Sequence, residues 1–230
     1  MSIEAIKNMM KVEEPTIEPV RYHSLTENVA ANLRESIIYG NLKPGIKITE
    51  TELAETMGVS RSVVREAVFV LISEGLMEKV ANRHTKVVEF SKDDIIDIFD
   101  LRIAIELAAI KRVAGNVEIY NVLEKLAAEI DNSRLVNEEN DYIKLIESDI
   151  LFHDCLIRGS GNKRLVETWT SIMGPMKMLL FLHMNAAQAT KCSHTSLLQC
   201  IREGDIARIS NMLESHISDT RNQLLLEAKV

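Results

Sequence analysis

Four side chains in the second half of the chain have the chemistry to share one cation. Asp149 and His153 stand four positions apart, so on a helix both side chains face one point. His194 precedes Gly204 by ten residues and His216 follows it by twelve. If Gly204-Asp205 turns an antiparallel helical hairpin, a rise of about 1.5 Å per residue brings the two imidazoles nearly level. One carboxylate and three imidazoles converging inside a bundle suit Zn²⁺, Ni²⁺ or a similar divalent ion. The alternative is accident: the four fall within 68 positions, and histidines on acidic helix surfaces are common. Cys192, two residues from His194, reads as a small buried hydrophobe rather than a ligand. His183 in the run Leu179-Leu-Phe-Leu-His183, and the methionines from Met173 to Met184, read as core or as a soft pocket wall.

A second constellation lies closer to the N-terminus. In Gly58-Val-Ser-Arg-Ser-Val-Val-Arg-Glu-Ala67, Arg61 and Arg65 share one helix face close to its start. Helix N-termini favour phosphate, and arginine bonds bidentately to O6 and N7 of guanine, which is how a recognition helix reads the major groove. An ordinary solvated helix with Arg65 paired to a nearby acid has the same spacing. The two arginines alone do not separate these readings.

The elements that must position these groups are legible from caps and periodicity. Ser24 with Glu27 forms a capping box, and Leu25, Val29, Leu33 and Ile37 recur every four residues as far as Gly40. A turn follows at Asn41–Gly45. Thr49 with Glu52 opens a second helix that ends at Gly58, and Ser60 caps a third that runs to about Glu74, ahead of Gly75. Leu76–Val80 and Thr85–Glu89, separated by Ala81-Asn-Arg-His84, predict a hairpin. This order is the layout of a winged helix–turn–helix. From Ser91-Lys-Asp-Asp94 onward almost everything reads as helix, with breaks expected at Gly115-Asn116, Asn137–Asn140, Gly159-Ser-Gly161, Gly174-Pro175 and Gly204-Asp205. Five to seven helices with short connections predict an all-α bundle. The expected division is a lead-in over 1–20, a winged helix–turn–helix over 21–90 and an all-helical domain over 91–230. The fold class is mainly α.

Composition narrows the class without deciding it. With 46% hydrophobic and 27% charged residues, the 230-residue chain can bury a core of ordinary size. Only 9 Gly, 4 Pro and 4% aromatics argue against collagen, a β-sandwich and a low-complexity tail. No apolar run approaches the roughly 18 residues of a membrane span. Glu4 and Lys7 stand where a secretory leader needs its apolar stretch. Three cysteines are too few and too odd in number for a disulfide framework. The expectation is a cytoplasmic protein that makes no use of a membrane. The net charge of −7 does not advertise nucleic-acid binding, but it is uneven. Residues 21–90 balance 9 basic against 9 acidic groups, whereas 91–230 hold 16 against 21.

The order of motifs makes the chain recognisable. Asn32-Leu-Arg34, Gly40-Asn-Leu-Lys-Pro-Gly45, Thr49-Glu-Thr-Glu-Leu-Ala54, Gly58-Val-Ser-Arg61, Val64-Arg-Glu-Ala67 and Glu74-Gly-Leu76 resemble the DNA-binding domain of the GntR family of bacterial transcription regulators. The resemblance implies that Arg34, Ser60, Arg61, Ser62, Arg65 and Thr85 hold positions that touch DNA, with Arg83 and His84 at the wing. The chain has Ser62-Val63 where many members have Thr-Pro, and His84 where many have glycine. Farther on, Asp149-Ile-Leu-Phe-His153, Gly161-Asn162, Ser193-His194, Gly204-Asp205 and His216 resemble the FCD ligand-binding domain of the FadR-like branch. In that domain an Asp-x3-His pair and two later histidines hold a metal, and all four positions are filled here. Arg102 and Glu106 match an Arg and Glu four apart at the start of such domains. The resemblance turns Arg102 toward a ligand cavity, where a guanidinium grips a carboxylate; a salt bridge to Glu106 is the alternative.

Three functions are compatible with these residues. A ligand-responsive regulator accounts for both halves. A metal-dependent hydrolase or oxygenase would use the same Asp/His set, but the chain has no His-Glu-x-x-His, no nucleophile elbow and no evident general base beside the ligands. In a pure metal sensor the ion itself would be the signal. The expectation is a homodimeric repressor rather than an enzyme, on a palindromic DNA operator and controlled by a small carboxylate effector at a site with Zn or Ni.

Overall fold

Residues 25–80, 84–113, 116–133, 139–183 and 193–227 are described by the computed structural model. The expected lead-in over 1–20 therefore lies outside the described residues, as do His23, Ser24, Arg83, Gly115, Asn137, Met184 and Cys192. Helix α1 (Leu25–Ile38) buries Val29, Leu33 and Ile37 of the expected four-residue stripe, with Ala30 beside them, while Leu25 in its first turn is exposed. Thr49 ends strand β1 (Lys47–Thr49) and caps α2 (Glu50–Met57). Its hydroxyl accepts the Glu52 N–H at 3.2 Å, and the Glu52 carboxylate accepts the Thr49 N–H at 2.8 Å. Gly58 closes α2 at φ +66°, a conformation that glycine adopts without strain, and Ser60 caps α3 (Arg61–Ser73). Strands β2 (Met77–Lys79) and β3 (His84–Val87) form the expected hairpin in shortened form.

Strand β1 is an addition to that reading. It pairs antiparallel with β3, Ile48 opposite Thr85, so the sheet has the order β1-β3-β2. Three residues are too few to show an alternating pattern, which is why Lys47–Thr49 reads only as the approach to a helix.

The bundle begins at Ser91, whose N–H and hydroxyl both reach the Asp94 carboxylate, at 2.8 and 2.6 Å. Six helices follow among the described residues: α4 (Lys92–Val113), α5 (Val117–Ser133), α6 (Glu139–Gly159), α7 (Lys163–Leu182), α8 (His194–Glu203) and α9 (Ile206–Glu227). No helix among the described residues is long and apolar enough to cross a membrane.

One expected break is absent. Helix α7 runs through Gly174-Pro175 to Leu182. Proline removes the N–H that would bond the Ser171 carbonyl and crowds that carbonyl, at a cost of about 3 kcal/mol. Tertiary packing offsets it. Pro175 is buried, with its ring 3.1 Å from where a Cβ on Gly75 would stand, and Gly75 itself has φ +70°. A Cβ on Gly174 would meet the Glu74 carbonyl oxygen at 2.8 Å and Leu76 Cγ at 3.3 Å. The turn after α3 and the middle of α7 thus approach backbone to backbone. The end of α7 also meets α1: Phe181 packs edge-on against Tyr39 at 5.0 Å, and the Tyr39 hydroxyl donates to Glu147 at 3.0 Å. One core accordingly joins Leu71, Leu76 and Val87 to Ile150, Trp169 and Met176.

Gly174→Val should open this contact. The added methyls face backbone rather than a yielding side chain, so overpacking should cost about 1–3 kcal/mol. The urea unfolding midpoint should fall with an unchanged slope; a midpoint equal to wild type would show that α7 is not held against the turn.

Candidate metal centre and nucleic-acid interface

Three helices deliver the four candidate ligands. Asp149 and His153 lie one turn apart on α6, His194 opens α8, and His216 sits midway along α9. The start of α8 is anchored from α5, where the Asp131 carboxylate accepts the backbone N–H groups of His194 and Thr195 at 3.1 and 3.2 Å. Gly204, at φ +78°, turns α8 into α9. One ligand atom from each of the four residues lies within 4.8 Å of all the others. His194 Nε2 is 3.0 Å from Asp149 Oδ1, and the Nε2 atoms of His153 and His216 are 3.3 Å apart. Around an ion with Zn–N bonds of about 2.0–2.1 Å, tetrahedral ligand atoms stand about 3.3–3.4 Å apart. His153 and His194 have no exposed surface and His216 has 2%, with the Phe152 ring packed edge-on to His194 at 4.8 Å.

A buried carboxylate orients the set. Glu106, on α4, takes His153 Nδ1 on Oε2 at 2.6 Å and Arg102 Nε on Oε1 at 2.7 Å. A carboxylate only accepts, so Nδ1 of His153 donates to Glu106, and Nε2 is the nitrogen turned to the site. Such a carboxylate–imidazole pair fixes the ring and raises its basicity as a metal ligand. Arg102 is 2% exposed, and its Nη2 is 3.7 Å from Asp149 Oδ2. Burial pushes the Asp149 and Glu106 carboxyls up. His153 and then Arg102 outweigh it at Glu106, and His153, His194 and lastly Arg102 outweigh it at Asp149, so both carboxyls titrate below their ordinary value, Asp149 well below. Burial, reinforced by His194 and His153, holds His216 well below the usual imidazole range. Neutral imidazoles and ionised carboxylates are the forms that bind a cation. The donor set fits a divalent ion.

The N-terminal candidates divide. Arg61, Arg65, His84 and Thr85 line one cleft of about 750 Å³, together with Thr49, Glu50, Thr51, Lys79 and Val80. Ser60 Oγ accepts the Val63 N–H at 3.4 Å and lies 2.9 Å from Ser62 Oγ, so both hydroxyls sit at the start of α3. Thr85 is buried, and its hydroxyl donates to the Ile48 carbonyl at 3.2 Å, which ties β3 to β1. Arg34 does not line the cleft: its Nε and Nη2 grip the Glu74 carboxylate at 2.7 and 2.6 Å, clamping α1 to the end of α3. Arg65 is paired with an acid, its Nε and Nη2 both 3.0 Å from Glu50 Oε2. Likewise Arg102 makes its salt bridge to Glu106 while also facing the ligand set.

Sequence reasoning passed over Glu50, Thr51 and Lys79 in the cleft, and the bond from Glu106 to His153. Glu106 and His153 are 47 residues apart, and no local signal joins them. Lys79 carries a weak one, as a cation at the end of a predicted strand that leads into the wing.

Comparison with known proteins follows the same division. The FCD domain family matches residues 97–219, and the family of bacterial regulatory proteins called gntR matches residues 25–87. The HTH-type transcriptional regulator YdhC of Bacillus subtilis is 28% identical over 157 residues, 67% of this chain and 66% of that protein. The gluconate operon transcriptional repressor of the same organism is 24% identical over 204 residues, covering 85% of this chain and 83% of the relative. Among solved structures, a GntR transcriptional regulator from Rhodococcus sp. RHA1 superimposes with a TM-score of 0.68 at 22% identity, covering 89% of this chain and 99% of that one.

Proposed function

The chain belongs to the gntR family of bacterial regulatory proteins and carries an FCD domain, and from that premise we propose that it is a repressor whose hold on a palindromic operator is set by a small organic acid at a metal site. The observation that carries this reading is the pairing of two built sites in one packed chain. A cleft with Arg61, Arg65, Lys79 and His84 stands at one end, and the buried Asp149, His153, His194 and His216 at the other. The repressing direction follows the gluconate operon relative.

In this reading the domains are 21–90 for DNA and 91–230 for metal and effector. Arg61 and Arg65 address base edges, while Ser60, Ser62 and the wing residues Arg83 and His84 serve the DNA backbone; Thr85, buried with its hydroxyl committed to Ile48, positions the wing strand instead of touching DNA. Arg34 contributes by holding α1 against α3 and offers its remaining edge to phosphate. Zn²⁺ or Ni²⁺ is the resident ion, since one carboxylate and three imidazoles match the preference of either. Bound there with a coordination position open beyond the four protein ligands, the ion would supply a positive centre for an acid's carboxylate. Arg102, beside Asp149, supplies charge-assisted hydrogen bonds to the same ligand. A two-fold homodimer matches the symmetry of a palindrome and adds the affinity of a second recognition helix.

The test begins with duplexes enriched from the source genome by the wild-type protein. Arg61→Ala should weaken binding to them by about 1–3 kcal/mol, the value of one bidentate base contact. Random duplex should lose less. Full operator affinity in the variant would end the assignment of α3 as the recognition helix.

A further inference from the structure

A carboxylate lines the same cleft as the cations. Glu50 opens α2, its side chain 24% exposed, and its Oε2 takes both Nε and Nη2 of Arg65 at 3.0 Å. Arg61, Lys79 and His84 line the same cleft. On a surface that only held phosphate such a group would be a liability, because it repels the backbone it faces. Fold stability does not explain it either, since a solvated ion pair of this kind contributes little.

The geometry explains it better. A guanidinium has five N–H groups in a rigid fork. With Nε and one edge of Nη2 turned inward to Glu50, the outward N–H groups of Nη1 and Nη2 remain in one plane at the tip. Two parallel donors at the tip suit the O6 and N7 pair of guanine. An arginine paired in this way swings less readily toward a phosphate, and its charge is partly neutralised against non-specific attraction. Specificity is a difference of affinities, and a repulsive element directed against wrong partners raises it.

We propose that Glu50 is a specificity-positioning residue: it holds Arg65 for a base edge and withholds it from the DNA backbone. This rests on reading the cleft as the DNA interface. The alternative is a plain helix-start acid, favoured at the first turn of α2 by the helix dipole. Removal relieves repulsion of the DNA backbone on either reading, so the two differ in what it does to sequence preference. As a helix-start acid, Glu50 would affect stability and overall affinity and leave sequence preference alone. As a positioning residue, it lowers random-DNA affinity and sharpens sequence preference.

The experiment compares wild type, Glu50→Gln and Glu50→Ala by selection from a pool of random-sequence duplexes, then by titration of one random duplex over a range of salt. Melting curves serve as the folding control. Glu50→Ala should bind random duplex more tightly, and its log-affinity against log-salt slope should steepen by about 0.9 as Arg65 joins the phosphate contacts. Its selected sequences should lose preference at the base that Arg65 reads, with discrimination there falling by about 5–150-fold. Glu50→Gln keeps an acceptor for Nε without the charge, so it should gain random-duplex affinity yet keep part of the base preference. An unchanged selected sequence in Glu50→Ala, even with tighter binding to random duplex, would overturn the proposal. Wild type that enriches no sequence would instead remove the DNA reading of the cleft, and Glu50's role with it.

Discussion

His153→Ala is expected to strip the protein of its metal and to abolish the rise in melting temperature that added metal produces. The wild type should purify with about one divalent transition ion per chain, removable by a strong chelator. His153 is the centre of the set. Its Nε2 lies 3.3 Å from that of His216 and 3.9 Å from Asp149 Oδ2, and its Nδ1 is fixed by Glu106 at 2.6 Å. Alanine removes one donor of four and also leaves the Glu106 carboxylate buried with Arg102 as its remaining partner among the contacts described. Loss of an orienting partner alone costs about 10–100-fold in metal affinity. Glu106→Gln, which keeps an acceptor for Nδ1 and discards the charge, should fall in that range, and His153→Ala beyond it. Metal at a hundredfold excess over its dissociation constant stabilises a fold by about 2.7 kcal/mol. Elemental analysis of desalted protein, with melting curves in added Zn²⁺ or Ni²⁺, measures both effects. Wild type that holds no metal and melts at the same temperature with either ion would remove the metal centre.

What could be read in advance depended on whether a contact has a local signature. The caps at Thr49, Ser60 and Ser91 each lie within three residues of the group they bond, so residue type and spacing announce them. The four ligand candidates were also legible, for a geometric reason. A helix converts sequence spacing into height, so Asp149 and His153 share a turn, and His194 and His216 come level across the Gly204 corner. Contacts made by tertiary packing had no such signature. Nothing near Glu74 announces that it receives Arg34, 40 residues away, and the resemblance that assigned Arg34 to DNA passed over its clamp on α3. Pro175 reads as a helix break by every local rule, and only the glycine-lined approach of α7 to Gly75 explains its place inside a helix. Strand β1 exists because β3 offers it a partner. In the cleft, Glu50 went unread, because its hold on Arg65, 15 residues on, depends on how α2 crosses α3.

Arg102→Ala should destabilise the helical bundle strongly, and Arg102→Lys should separate that effect from recognition. The guanidinium is 2% exposed and bonds Glu106, which has no exposed surface. Breaking a buried pair from one side strands the other charge and costs about 3–5 kcal/mol. The alanine variant should lose that much in denaturant unfolding, so weaker ligand binding by it would be ambiguous. Lysine keeps a positive charge near Glu106 but cannot bond two acceptors in one plane. Arg102→Lys should therefore fold, keep its metal and bind small carboxylates at least about tenfold more weakly, the loss of one charge-assisted hydrogen bond. The coupling to DNA follows from linkage. An acid that loosens operator binding must bind the operator-bound protein more weakly than free protein by the same factor, usually about 5–150-fold. The route for such coupling is short, since α6 carries Asp149 and His153 and bonds Trp169 of α7 through Asp154 at 3.0 Å. Helix α7 in turn abuts the turn after α3 at Gly174 and Gly75. Titrating candidate acids against free and operator-bound protein, wild type and Arg102→Lys, tests both statements. Once an acid binds wild type, equal affinity for the free and bound forms would remove the coupling. Undiminished binding by Arg102→Lys would show that the arginine serves Glu106 and the fold, and that the metal holds the acid without it.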